Sequence, residues 1–188
     1  MRYPLIAIAA LFSFTLSLTA SAQSADNPII RFDDSAHPVF GSSGMVAAQN
    51  AAAAQVGADV LAEGGNAVDA AVAVGFSLAV TTPRAGNLGG GGFMLIYEAS
   101  SDETVAIDYR EMAPLRATRD MYLDDNGDVD PQRSRFSHLA AGVPGTVAGL
   151  YRAHQKYGKL PWGRLVQPAI READDGIVGS YTLSQLVK

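Results

Sequence analysis

Residues 67–80 constrain this chain more than any other segment: AVDAAVAVGFSLAV carries a single charged side chain, Asp69, and almost everything else in it is apolar or small. A helix with no polar face is a helix buried on all sides. The run is shorter than the roughly 20 residues a bilayer span needs, so the expectation is a central helix with other elements packed around it. Asn66 marks its start as an N-cap. Asp69 follows three positions on, where a carboxylate meets the first-turn N–H groups and the positive end of the helix dipole. Pro83 stops it. Hydrophobic residues make up 48% of the 188 and charged ones only 18%, which excludes a wholly disordered chain and supplies a sizeable core.

The flanking segments supply candidate layers. Asn50 can cap a helix over residues 51–63, in which Ala53, Val56, Gly57, Val60 and Leu61 repeat at helical spacing while Gln55, Asp59 and Glu63 fall on the other face. Gly64 and Gly65 end it, since glycine takes the left-handed cap cheaply. Met45-Val46-Ala47 ahead of it is a short strand candidate. Residues 93–97 are continuously apolar, the pattern of a strand buried on both faces. Residues 104–109 alternate, with Val105, Ile107 and Tyr109 on one face and Ala106 and Asp108 on the other. Turn formers at 100–103 make the two strands an antiparallel hairpin. Helices are expected over 145–157, near 165–174 and from Ser180 onward. Lys188 comes with no terminating signal, and the chain reads as cut within an element.

Several chemistries are excluded. Without cysteine there is no thiol nucleophile, disulfide or thiolate metal site. A net charge of −5 with no basic stripe argues against nucleic acid and anionic membrane surfaces. Gly86-Asn87-Leu88-Gly89-Gly90-Gly91-Gly92 invites a phosphate-loop reading, but such loops follow a strand and open a helix, whereas this run follows a helix and opens a strand. It is expected to be a tight turn under other backbone, where any Cβ would clash. Asp124, Asn126, Asp128 and Asp130 alternate like calcium ligands. A loop counted from Asp124, however, puts Val129 where glycine is required and Arg135 where a bidentate glutamate is required, so an exposed turn is expected. His37, His138 and His154 show no metal-binding spacing, and no Gly-x-Ser-x-Gly elbow occurs.

What remains is Arg110-Glu111, leaving the second strand before Pro114. A buried sheet that delivers a charged pair at its rim is one way a rigid scaffold presents binding groups. The same pair also reads as a solvated strand end, with Arg110 matched to Glu111 or Asp108. On residue types alone that plainer reading is the commoner case.

The first residues read as an address. Arg2 precedes an uncharged, mostly apolar stretch over 5–18, and Ala20-Ser21-Ala22 fits the small-x-small cleavage rule. Residues 1–22 are therefore expected to be a signal peptide, leaving no membrane anchor after cleavage and a periplasmic or secreted protein. Residues 23–43 are polar, carry Pro28 and Pro38, and read as a flexible leader arm.

Five motifs follow one another from Gly44 onward: Gly44-Met45-Val46-Ala47, the segment Glu63-Gly64-Gly65-Asn66-Ala67-Val68-Asp69-Ala70-Ala71-Val72-Ala73, the glycine run through Phe93-Met94, Asp108-Tyr109-Arg110-Glu111-Met112-Ala113-Pro114, and Gly142-Val143-Pro144-Gly145-Thr146-Val147-Ala148-Gly149. In that order they resemble the γ-glutamyltranspeptidases, most of all the bacterial periplasmic type. The resemblance implies an α+β class and a partial, truncated N-terminal nucleophile hydrolase fold, a four-layer αββα sandwich, with residues 44–188 as the front of the large subunit. It implies a precursor that cleaves itself into large and small subunits. It also implies transfer or hydrolysis of the γ-glutamyl group of glutathione and related amides by the small subunit's N-terminal Thr. The acceptor would be an amino acid, a peptide or water, and no metal or organic cofactor is implied. The Thr cleavage motif is absent from these residues, so no catalytic residue is expected in this chain, and the chain alone is expected to be inactive. The substrate contact carried over is Arg110, which in the family clamps the donor's α-carboxylate, with Glu111 orienting it. Two other readings stay open: a noncatalytic exported binding protein or pseudo-enzyme, and a related acylase acting on β-lactam side chains or poly-γ-glutamate.

Overall fold

The computed structural model describes residues 39–186, so the expected signal peptide, most of the expected leader arm and His37 lie outside the described residues. A unit that begins at Gly41 carries every element below. Helix α1 spans Ala51–Ala62. Asn50 holds an extended backbone and its side chain accepts from Ala52 N at 2.8 Å, relieving one orphan donor of the first turn. The expected stripe faces inward, with Ala53, Gly57 and Val60 buried. The helix closes through two returning bonds, Gly64 N to Leu61 O and Gly65 N to Val60 O, made possible by φ of +90° at Gly64. Residues 45–47 form no strand; Val46 instead packs against the core.

Helix α2, Ala67–Thr81, begins with a full capping box: Asn66 accepts from Asp69 N at 2.9 Å and Asp69 returns the favour to Asn66 N at 3.0 Å. It packs against α1 and against two later helices, α4 (Thr146–Tyr157) and α5 (Trp162–Asp175). Val68, Val72, Phe76, Leu150, Ala153, Leu165 and Ala169 form the core between them, with the Trp162 ring edge-on to Phe76 at 5.4 Å. The expectation of burial on all sides needs correction: Ala67 and Ala71 are exposed and Val74 and Leu78 half-buried. Three neighbouring helices cover most of α2, and this one stripe stays open among the described residues.

The capping box also reaches across the fold. Asn66 Nδ2 donates to Tyr157 O, the last carbonyl of α4, at 2.6 Å. Asp69, with no exposed surface, accepts from Lys159 N (2.9 Å) and Leu160 N (3.2 Å) in the α4–α5 connection. One pair of side chains thus satisfies the start of α2, the end of α4 and the loop that aims α5.

Strands β1, Phe93–Glu98, and β2, Glu103–Asp108, form the expected antiparallel hairpin, with Phe93 opposite Asp108 and Glu98 opposite Glu103. Met94, Ile96 and Ile107 turn toward the helices. Phe93 (64%) and Leu95 (75%) on the other face are exposed, which corrects the expectation of a strand buried on both sides. Among the described residues helices cover only one face of this two-stranded sheet. The smaller elements are α3, Pro131–Arg135, a 3₁₀ turn at His138–Ala140, and α6, Tyr181–Leu186. Pro161 precedes α5, which therefore starts three residues ahead of the expected Leu165.

Candidate functional site

The ladder continues one rung beyond β2: Tyr109 N donates to Gly92 O at 3.0 Å and Gly92 N to Tyr109 O at 3.3 Å. The chain then passes through a slot with glycine on both sides. A Cβ at Gly91 would lie 2.5 Å from Tyr109 O and 2.6 Å from Glu111 N. One at Gly145 would overlap Tyr109 O, and one at Gly149 would overlap the Tyr109 side chain. Only glycine permits this approach. The expected crowding under other backbone holds at Gly86 and Gly91, whose Cβ atoms would lie 2.6 Å from Leu78 O and 2.5 Å from Tyr109 O, and fails at Gly89, where the nearest atom would be Asn87 Oδ1 at 3.8 Å.

The slot is closed by main-chain bonds. Gly90 O accepts from Gly145 N (2.8 Å) and Thr146 N (3.0 Å), doing for α4 what a capping side chain would do, since its N-cap, Gly145, has none. Met112 and Val143 exchange both their bonds, at 3.2 and 2.8 Å. The Tyr109 ring is wedged under α4, and burial pushes its phenol above its ordinary pKa.

Arg110 emerges from this slot at the rim. Its main-chain N donates to Asp108 Oδ1 at 2.9 Å, and its Nε pairs with Glu111 Oε2 at 2.9 Å. Both neighbours suggested by the sequence are therefore used, Glu111 by the guanidinium and Asp108 by the backbone. The guanidinium carbon lies 5.9 Å from the Phe93 ring centroid. The side chain is 58% exposed, and among the described residues Nη1 and Nη2 take no hydrogen bond. The fork that suits a carboxylate is thus unspent on a backbone held from both sides. Arg110, Glu111, Met112, Met121, Tyr122 and Gly142 border an open concavity.

The other candidate groups are brought into no site. Asp124 turns its carboxylate onto Asn126 N (2.9 Å) and Asp128 N (3.0 Å), and these bonds, that from Asp128 first, hold it below the usual carboxyl range. Among the described residues no cluster of three His, Asp or Glu could hold a metal. His154 Nε2 is engaged with Leu160 O at 2.7 Å. Phe93 was missed by sequence reasoning. The short hairpin turn fixes the register and so places Phe93 beside the strand end that carries Arg110.

Comparison with known proteins bears on the family and the fold. The profile of the family described as Gamma-glutamyltranspeptidase matches residues 53–188. The glutathione hydrolase proenzyme of Escherichia coli K12 is 54% identical over 186 residues, 97% of this chain and 32% of that protein. The crystal structure of Helicobacter pylori γ-glutamyltranspeptidase superposes with a TM-score of 0.76 at 47% identity, covering 80% of this chain and 43% of that one. The enzyme of the same name from Pseudomonas nitroreducens gives 0.74 at 49% identity, covering 79% and 44%. The fold is therefore part of an N-terminal nucleophile hydrolase, helices with a small two-stranded sheet. The chain belongs to the γ-glutamyltranspeptidase family. It spans about a third of the length of the Escherichia coli relative.

Proposed function

We propose that the complete protein hydrolyses glutathione and related γ-glutamyl amides and transfers the γ-glutamyl group to amines, with Arg110 holding the donor's α-carboxylate. Family membership supports the reaction class. The observation that carries the role of this chain is the unspent Nη pair of Arg110 on a rim locked by Gly90, Gly91 and Gly145. A donor carboxylate accepts two parallel hydrogen bonds from that fork, while Glu111 keeps Nε and limits rotation of the plane. The scissile γ-amide is thereby presented at a fixed distance from the anchor. The bond is broken by the N-terminal Thr of a small subunit released from the same precursor. Its α-amine acts as base, and backbone N–H groups stabilise the oxyanion. The name proenzyme borne by the Escherichia coli relative supports such cleavage. The signal-like series Arg2, the apolar stretch and Ala20-Ser21-Ala22 supports export, to the periplasm or beyond.

The test compares Arg110→Ala and Arg110→Lys in the complete protein, on a γ-glutamyl donor and on its 4-aminobutyryl analogue, which lacks the α-carboxylate. Removing one partner of such a pair costs about 2–5 kcal/mol. The expected loss in kcat/KM on the γ-glutamyl donor is then about 30-fold to several thousand-fold, with Arg110→Lys between wild type and Ala. Equal losses on both donors would make Arg110 a structural strand end.

A further inference from the structure

We infer that Phe93 is a positioning residue for Arg110, an aromatic platform that orients the guanidinium without consuming the donors its ligand needs; this rests on the carboxylate-clamp reading above. Among the described residues, three side chains engage Arg110. Asp108 accepts a hydrogen bond from its main-chain N, and Glu111 forms an ion pair with its Nε. The third is the Phe93 ring, 5.9 Å from the guanidinium carbon and within the range of a cation–π contact. An ion pair through Nε limits rotation of the guanidinium but still lets its plane tilt. A ring against the cation opposes that tilt, and it accepts nothing from Nη1 or Nη2. A third carboxylate would hold Arg110 more firmly, but it would occupy the fork and neutralise the charge that draws the donor.

The placement of Phe93 fits that task. It opens β1 on the rung opposite Asp108, at the end of the hairpin from which Arg110 leaves. Gly89 to Gly92 precede it, so no bulky side chain just before it competes for the ring. Leu95 and Tyr97 share its exposed face, and of these three Phe93 is the one that lies against a cation. Covering the outer face of the sheet would need an apolar side chain here; orienting Arg110 needs an aromatic one. The two roles therefore respond differently to substitution.

The experiment measures kcat and KM in the complete protein with γ-glutamyl-4-nitroanilide and 4-aminobutyryl-4-nitroanilide. Phe93→Leu and Phe93→Met keep apolar volume and lose the ring, while Phe93→Tyr keeps it. The leucine and methionine variants are expected to lower the preference for the carboxylate-bearing donor about two- to fivefold, through KM rather than kcat, and Phe93→Tyr to restore it. In an Arg110→Ala background, Phe93→Leu is expected to change the preference no further. Equal losses on both donors, or the same shift in the Arg110→Ala background, would make Phe93 a packing residue and overturn the inference. If Arg110→Ala alters the preference and both non-aromatic variants leave it unchanged, the inference falls and the clamp stands. If Arg110→Ala itself leaves the preference unchanged, both fall together. Should Phe93→Leu fail to fold in a thermal melt, Phe93→Met and Phe93→Tyr still decide between the ring and its bulk.

Discussion

Asn66–Asp69 and Arg110–Glu111 are both polar pairs at the end of a regular element, and they are used in opposite ways. Asp69 is fully buried, and its two oxygens are loaded with N–H groups from Asn66, Lys159 and Leu160. Asn66 spends its amide on Tyr157 O. Nothing is left over, so that pair is scaffold. Arg110 is held through its backbone and Nε, while among the described residues its two outer nitrogens make no hydrogen bond at a half-exposed rim. Full satisfaction marks a joint. Partial satisfaction on a rigid support leaves donors for the carboxylate proposed above.

The largest expected effect breaks the joint. Asp69→Ala leaves three main-chain donors without their acceptor and removes the capping box, at about 1 kcal/mol or more for each donor. A loss of roughly 3 kcal/mol in denaturant-unfolding free energy is expected for the complete protein. Arg110→Ala is expected to stay within about 0.5 kcal/mol on the same assay, because it removes an exposed side chain. Comparable losses in both variants would erase the distinction between the two pairs.

A second change links the regions. Gly149→Ala gains helix propensity but pushes a methyl group into the Tyr109 side chain, one residue before Arg110. Overpacking of this kind costs about 1–3 kcal/mol, and donor preference is expected to fall with stability. Gly163→Ala has no neighbouring atom to meet, and its expected outcome is a gain of up to roughly 1 kcal/mol in a thermal melt. A stable Gly149→Ala variant with unchanged selectivity would show that the slot is not what fixes Arg110.

The smallest effect is a pH dependence at the Asp124 turn, a third polar group and a wholly local one. Its carboxyl is held below its ordinary value by bonds from Asp128 and Asn126. Its contribution is therefore present above the usual carboxyl range, near pH 4, and is lost as pH falls through the lower folded value. Amide shifts of Asn126 and Asp128 followed by NMR should titrate together below that range. A midpoint at the ordinary value would mean that the turn does not hold the carboxylate.

What was legible in the sequence follows the same division. Asn50, Asn66 and Gly64 punctuate helices through contacts within a few residues, and reading them along the chain located α1 and α2. The antiparallel hairpin followed from two strand-like runs joined by one short turn. The second half of each story is long-range. Nothing near Asp69 announces Lys159, and nothing near Arg110 announces Gly145 and Gly149. Apolar content led to the opposite error, because a run such as Phe93 to Tyr97 shows that a face wants cover without showing how much cover the neighbouring residues provide. Arg110 itself was found through the motif around it; its free fork was visible only once both neighbours had been seen to bind elsewhere.

The Gly90 carbonyl that starts α4 also sets an order of events. Its two partners lie roughly 55 residues away along the chain, and closing so long a loop costs entropy before any contact repays it. The caps of α1 and α2 and the hairpin are local and form without that closure. The rim that carries Arg110 does not exist until the closure is made. During synthesis the glycine turn leaves the ribosome well before α4, so α1, α2 and the hairpin precede the rim, and a refolding time course of the complete protein should recover part of the helical signal ahead of donor selectivity.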